Sequence, residues 1–373
     1  MKKRTMHRIG RFDRPIPNLT RPGAPGPRAA WPAALVLGST CVAWLLLAAS
    51  ASASSFSFST GDPDGKIATL SRPASDGTIQ TETADDFVIT ADTTLITHAT
   101  FTGLLPAGAP LSSILQVEVE IYHVFPLDSA TPPSGNVVTR TNSPSDVEIG
   151  SATRDSAAST LDFAAVLLSA SFTAANSVVI GINKAPNQHT GGEGPVTGEE
   201  VAISVAFDPP ISLPTNHYFL RPEVLLSSGN FLWLSAPKPI LPPGTPFAAD
   251  LQTWIRNDDL APDWSRVGTD ITGQGPFNAS FSLVGETDQD NDGVPDSLDQ
   301  CPNTPAGAVV NAEGCSIDQL VPCAGPWKNH GQYVSAVAHV SREFVEQGLI
   351  TYEERAEIVA NAAQSDCGKQ GRR

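Results

Sequence analysis

Residues 116–125, Gln-Val-Glu-Val-Glu-Ile-Tyr-His-Val-Phe, alternate so regularly that an extended chain is the conformation that can use them. As a strand, Val117, Val119, Ile121 and His123 fall on one face and Glu118, Glu120, Tyr122 and Val124 on the other; a helix would mix both sets around its circumference. β-Branched, alternating segments recur at 95–104, 176–183, 200–207, 217–226, 230–235 and 277–284. Between them stand Gly61-Asp-Pro-Asp-Gly65, Thr131-Pro-Pro-Ser-Gly135, Gly191-Gly-Glu-Gly-Pro195 and Leu241-Pro-Pro-Gly244. Glycine accepts turn conformations and proline offers no amide to a ladder, so each stretch interrupts a strand. The 30 glycines and 32 prolines, with only 17% charged residues against about 25% in an average domain, argue against long charged helices. Residues 54–285 are therefore expected to form an antiparallel β-sandwich, with jelly-roll-like or Greek-key wiring because the connections exceed tight hairpins.

Charge is divided unevenly along the chain. Residues 1–53 carry eight of the 23 basic residues and one of the 39 acidic ones, leaving 15 basic against 38 acidic and a net charge of −23 for the remainder. So acidic a body repels phosphate backbones, which excludes nucleic acid as a main partner. The basic leader, the apolar run from Ala33 to Ala49 and the small residues through Ala53 have the form of a secretory signal peptide, with cleavage expected after Ala53. Gly38, Ser39 and Thr40 interrupt the apolar run, which falls short of the roughly 20 residues a spanning helix requires. No membrane span is expected after cleavage, and the protein is expected to be secreted or at the cell surface. Four cysteines then remain, Cys301, Cys315, Cys323 and Cys367, all near the C-terminus. An even, clustered set in an exported chain reads as two disulfides. Of the three possible pairings, Cys301–Cys315 and Cys323–Cys367 each close a local element.

The β region offers little catalytic chemistry. It lacks Gly-x-Ser-x-Gly, His-Glu-x-x-His and a phosphate-binding glycine loop followed by a helix. His98 and His123 lie inside strands and read as structural, His189 in a glycine-rich loop as solvated, and His217 stands apart from them. Asp85 and Asp86 precede Phe87-Val-Ile89 and read as a solvated strand entry or turn cap. Trp254 and Trp264 flank Asp258, Asp259 and Asp263, which fits either a sugar-stacking platform or a core plug.

The most specific motif is Asp288-Gln-Asp-Asn-Asp-Gly-Val-Pro-Asp-Ser-Leu-Asp299. Counted from Asp288, carboxylates stand at positions 1, 3, 5, 9 and 12 and Gly293 at position 6, the spacing of a twelve-residue calcium loop with a final Asp. Asp288, Asp290 and Asp292 point inward on alternate residues, Gly293 permits the sharp turn, Val294 supplies a carbonyl, and Asp296 and Asp299 complete the shell. Oxygen-only donors select Ca2+ over zinc or a transition metal. The strand-like residues leading in, and Pro295 and Pro302 after the glycine, exclude a helix–loop–helix hand. With Gln300-Cys301-Pro302, the segment resembles a thrombospondin type 3 repeat over roughly residues 286–318, set in an exported bacterial β-sandwich protein whose opening is Thr81-Glu-Thr-Ala-Asp-Asp-Phe87. The resemblance implies calcium ligation by Asp288, Asp290, Asp292, Asp296 and Asp299, and a stiffened extracellular linker of the kind found in adhesive proteins. This chain has a single complete loop where that family carries several in series.

After Pro322-Cys323-Ala-Gly-Pro-Trp327 the period becomes helical. Tyr333, Val337, Val340, Phe344 and Val345 line one face, Gly348 stops the helix, and Thr351-Tyr-Glu-Glu354 is a capping box opening a second helix. Residues 319–373 thus form a helical hairpin too small for a comfortable core, which explains the staple. The functional expectation is an exported, non-catalytic calcium-binding protein, adhesive or scaffolding, with a glycan or extracellular protein as partner. The alternatives are a carbohydrate-binding module using Trp254 and Trp264, or a secreted hydrolase with structural calcium.

Overall fold

The computed structural model describes residues 55–75, 77–129, 134–182, 190–237 and 251–369. The leader with Cys41 and the Ala53 cleavage point, His189, the turn 241–244 and residues 131–133 lie outside them. Fourteen strands follow in order: β1 (Ser55–Ser59), β2 (Ile67–Leu70), β3 (Thr81–Pro106), β4 (Ile114–Val124), β5 (Pro144–Glu148), β6 (Arg154–Asp155), β7 (Leu161–Ala174), β8 (Asn176–Val178), β9 (Val196–Leu226), β10 (Leu232–Ala236), β11 (Trp254–Asn257), β12 (Ser265–Arg266), β13 (Asn278–Ala279) and β14 (Phe281–Thr287). Three helices come after them, α1 (Ile317–Leu320), α2 (His330–Glu346) and α3 (Tyr352–Gln364).

The chain is mainly β, but hydrogen bonding joins the strands into one network with a parallel pair, β2 with β8. The expected pair of separate antiparallel sheets is corrected to a mixed, curled half-barrel. Segments read as independent strands are parts of two long ones. β3 spans 26 residues and β9 spans 31, and they pair with each other from Asp85–Leu220 to Pro106–Gly198. Register shifts after Ile89 and Ile96 let the pair bend without breaking. Along the far edge of β9 sit first β7 and then β4; along the far edge of β3 sit β11, β14 and β10. Bending brings the two halves of the sheet face to face. Phe87 and Ile89 from one half, and Phe101, Val201 and Val205 from the other, share a core with Val117, Val119 and Ile121 of β4.

The opposite face of β4 and β9 is polar and nonetheless buried, because 140–148 and 254–266 lie over it. Arg221 is 1% exposed and meets Glu223 at 2.6 Å, Glu118 at 3.3 Å, Glu82 at 3.5 Å and Glu120. Arg256 pairs with Glu82, donates to the Tyr122 hydroxyl at 3.2 Å, and stacks its guanidinium 4.3 Å from the Trp264 ring. Four glutamates thus surround two arginines, and charge is not balanced if all ionise. Burial, and the nearby Glu82 and Glu118 charges, push Glu223 up to about 8 against the pull of Arg221. Burial, together with Glu120 and Asp155, brings Glu118 to about 7.

This cover also decides the aromatic and acidic candidates. Trp254 and Trp264 are buried with Tyr122, Phe219 and Leu251 and present no ring to a sugar, so the stacking platform is corrected to a core plug. Asp263 is held by Arg140 at 3.1 Å, and Asp258 accepts the Gln80 amide. Asp85 and Asp86 are likewise not a solvated entry. Both are buried within β3, Asp85 accepting the Ala279 amide and Asp86 meeting His217 Nε2 at 2.6 Å. His123 stands 3.2 Å from Asp128, and His98 is exposed beside the Thr97 hydroxyl.

Candidate metal centre

β14 runs antiparallel to β3 and delivers the chain to Asp288, whose amide donates to Thr93 O at 3.2 Å. That bond fixes the first loop residue to the sheet. The next eleven residues fold by local hydrogen bonding. Asp288 accepts from the amides of Asp292 and Gly293 at 3.3 and 3.0 Å, and Asp292 Oδ1 accepts from Val294 at 2.9 Å. Gly293 stands at φ +93°, which a side chain disfavours, and this explains glycine at the sixth position.

The turn brings carboxylate oxygens of Asp288, Asp290 and Asp292 within 4.8 Å of one another. Asp288 is fully buried, and Asp292 Oδ2 is buried with no hydrogen-bond donor among the described residues. An anionic oxygen in that position calls for a cation. Asp299 adjoins the cluster on its far side, since a Cβ built on Gly314 would lie 2.2 Å from Asp299 Oδ1 and 3.2 Å from Asp292 Oδ2. The Asp296 carboxylate accepts the Gln289 amide at 2.7 Å and the Thr287 hydroxyl at 2.5 Å, bracing the loop against β14. Of the six ligands expected from the sequence, the carboxylates of Asp288, Asp290 and Asp292 converge and Asp299 stands alongside them. The Val294 amide, not its carbonyl, is the group that Asp292 engages.

The electrostatics match this crowding. Burial raises Asp288 above the usual carboxylate range, and the Asp292 charge adds to it. Burial also raises Asp299, with further contributions from Asp290, Asp292 and Asp296. A bound divalent ion would relieve that repulsion, and hard oxygen donors on a flexible loop fit Ca2+.

Spacing alone does not reveal the outer supports. Thr304 donates its amide to Asp290 Oδ2 at 2.6 Å and its hydroxyl lies 3.0 Å from Gly314 O, while Ser212 of β9 donates to Asn291 Oδ1 at 3.1 Å. These residues tie the loop to the segment after it and to the sheet before it. A glycine directly before Cys315, in Glu313-Gly314-Cys315, is the one sequence signal that marks Gly314. A bond between Cys301 and Cys315 closes the following loop, and α1 is capped onto it through Ser316 and Gln319, whose side chain donates to Cys301 O.

Cys323 is bonded to Cys367, joining the start of α2 to the end of α3. Asn329 caps α2, Thr351 and Glu354 form the capping box of α3, and Tyr333, Val337 and Ala362 meet between the helices. His330 reaches the carbonyls of Cys367 and Ala363 at 2.8 and 3.0 Å. Among the described residues, no helix is long and apolar enough to cross a membrane.

Residues 284–307 match the thrombospondin type 3 repeat, so this segment is one such repeat. Two curated relatives share a short stretch with the chain. The alpha-agarase of Thalassotalea agarivorans is 73% identical over 30 residues, 8% of this chain and 2% of that protein. The alpha-agarase of Alteromonas agarilytica is 61% identical over 33 residues, 9% of this chain and 2% of that protein. The chain therefore spans about 2% of the length of the curated relatives it matches. No solved structure matches it significantly.

Proposed function

We propose that this is an exported, non-catalytic calcium-binding protein in which the thrombospondin type 3 repeat is a rigid joint between the curled β domain and the stapled hairpin. The observation that carries the reading is the convergence of Asp288, Asp290 and Asp292, together with a buried Asp292 oxygen that has no hydrogen-bond donor among the described residues. The loop is tied to β3 and β9 on one side and to Thr304 on the other. A cation there crosslinks the sheet on the N-terminal side of the loop to the segment on its C-terminal side. When bound, Ca2+ supplies charge compensation and stiffness; the carboxylates hold it and Gly293 shapes the turn. The two disulfides fit an oxidising compartment. On this reading the β domain recognises a glycan or an extracellular protein, in an adhesive or scaffolding role, through a surface other than Trp254 and Trp264.

A second reading, a secreted hydrolase with structural calcium, draws on the two short agarase matches. It requires a cleft with converging acid and base, and the buried carboxylates around Arg221 are covered by 140–148 and 254–266.

Calorimetry on the purified protein tests the joint. One saturable calcium isotherm is expected, lost in the Asp290→Ala plus Asp292→Ala double variant, and a chelator should expose residues 288–316 to protease. Equal isotherms for both proteins would refute the reading.

A further inference from the structure

A groove of about 450 Å³ opens between α1, α3 and the loop that follows the repeat, within the range of about 300–1,000 Å³ typical of ligand pockets. Its apolar lining includes Ile317 of α1 and Ile358 of α3, both half-buried, and Val309 of the loop, which is 47% exposed. Its charged lining has one sign. Asp318 comes from α1 and Glu354 and Glu357 from α3, and no Lys, Arg or His joins them. Glu354 and Glu357 are three residues apart and so share one side of their helix. Arg355, the basic residue of α3, is engaged elsewhere, donating to the Ala338 carbonyl of α2 at 3.0 Å. Both walls are covalently closed. Residues 305–309 lie inside the loop bounded by Cys301–Cys315, and α3 lies inside the span bounded by Cys323–Cys367. A groove held in this way exists before anything enters it, so little ordering of the protein opposes binding.

We propose that this groove docks a basic peptide segment of a partner protein, with an aliphatic side chain set against Val309, Ile317 and Ile358 and a Lys or Arg beside it facing Asp318 and Glu357. Apolar burial supplies affinity, and the carboxylates select the sign of the charge. An acidic segment would meet three like charges. A second copy of the chain, at a net charge of −16 and carrying the same three acids, is opposed by the same repulsion. The chain's own last four residues, Gln-Gly-Arg-Arg, are basic but hold no aliphatic side chain to cover the apolar lining. The hairpin is then a docking element in its own right, separate from whatever the β domain recognises. The inference stands without the calcium reading, because the disulfides frame the groove.

Fluorescence anisotropy of the purified protein with a labelled Lys-Leu-Lys-Leu-Lys peptide, in about 0.15 M salt, tests it. Saturable binding is expected, at least tenfold tighter than for Lys-Ser-Lys-Ser-Lys or Glu-Leu-Glu-Leu-Glu. Asp318→Asn plus Glu357→Gln, near-isosteric changes at exposed positions, should weaken binding tenfold or more. Val309→Ser should weaken it severalfold through the apolar contact alone. Glu354 is left in place because it caps α3. Glu148→Gln plus Asp162→Asn, the same charge change at exposed positions of the β domain, should leave binding unchanged. The proposal is overturned if the leucine peptide shows no saturable binding, if the serine peptide binds equally well, or if the β-domain pair weakens binding as much as the groove pair. Tenfold tighter binding by a chain ending at Lys369 would assign the groove to the chain's own C-terminus instead. A dimer in sedimentation that Val309→Ser abolishes would assign it to a second copy, and either result overturns the proposal.

Discussion

The four glutamates around Arg221 and Arg256 predict a stability that falls as the solution becomes alkaline. Glu223 is buried, and its pKa is raised from the ordinary 4.5 to about 8. Between those values the native protein keeps a proton that the unfolded chain has released. The unfolded state then binds fewer protons, and unfolding free energy falls with rising pH. One such group contributes about 1.4 kcal/mol per pH unit well below its native pKa and half that at it, so from pH 6 to pH 8 Glu223 alone should cost about 2 kcal/mol. Glu118, raised to about 7 but partly solvated, adds a smaller decrement in the lower half of that window. Glu223→Gln keeps the acceptor for Gln80 and removes the titration. Urea unfolding of both proteins at several values between pH 6 and pH 8, under saturating calcium, reads the effect. The variant's stability should decline less steeply, by about 1.4 kcal/mol per pH unit near pH 6 and about half that near pH 8. Parallel pH slopes, or a wild type that gains stability towards pH 8, would refute the argument that this cluster folds around a retained proton.

The same contacts predict three other outcomes. Gly314→Ala places a Cβ 2.2 Å from Asp299 Oδ1 at a φ of +74°, so calcium affinity measured by calorimetry should drop tenfold or more while the Cys301–Cys315 bond still forms. Replacing Cys323 and Cys367 with serine releases a bridge spanning 44 positions and should cost the hairpin about 4 kcal/mol, seen as helical circular dichroism lost well before the β signal on heating. Trp264→Ala empties the buried site beneath Arg256 and should destabilise the β domain by about 3–5 kcal/mol in denaturant unfolding, with calcium binding unchanged.

Features whose causes lie within a few residues are legible in the amino-acid sequence alone. The aspartate ladder, Gly293, the Thr351–Glu354 capping box and the strand face of Val117, Val119 and Ile121 each depend on φ preference or on spacings of two to four residues. Tertiary structure decided what distant segments do to one another. A bulge can bend a strand where the sequence pattern breaks off, so β3 and β9 read as fragments although each is continuous. Alternation marks Glu118, Glu120, Arg221 and Glu223 as facing away from the core, but only the fold brings 140–148 and 254–266 over that face. The same cover buries Trp254 and Trp264, while β7, equally apolar in composition, keeps an open edge because no described segment reaches it. Local propensity acts through neighbours along the chain, whereas burial depends on which other segment arrives, and that is set by the packing of the whole.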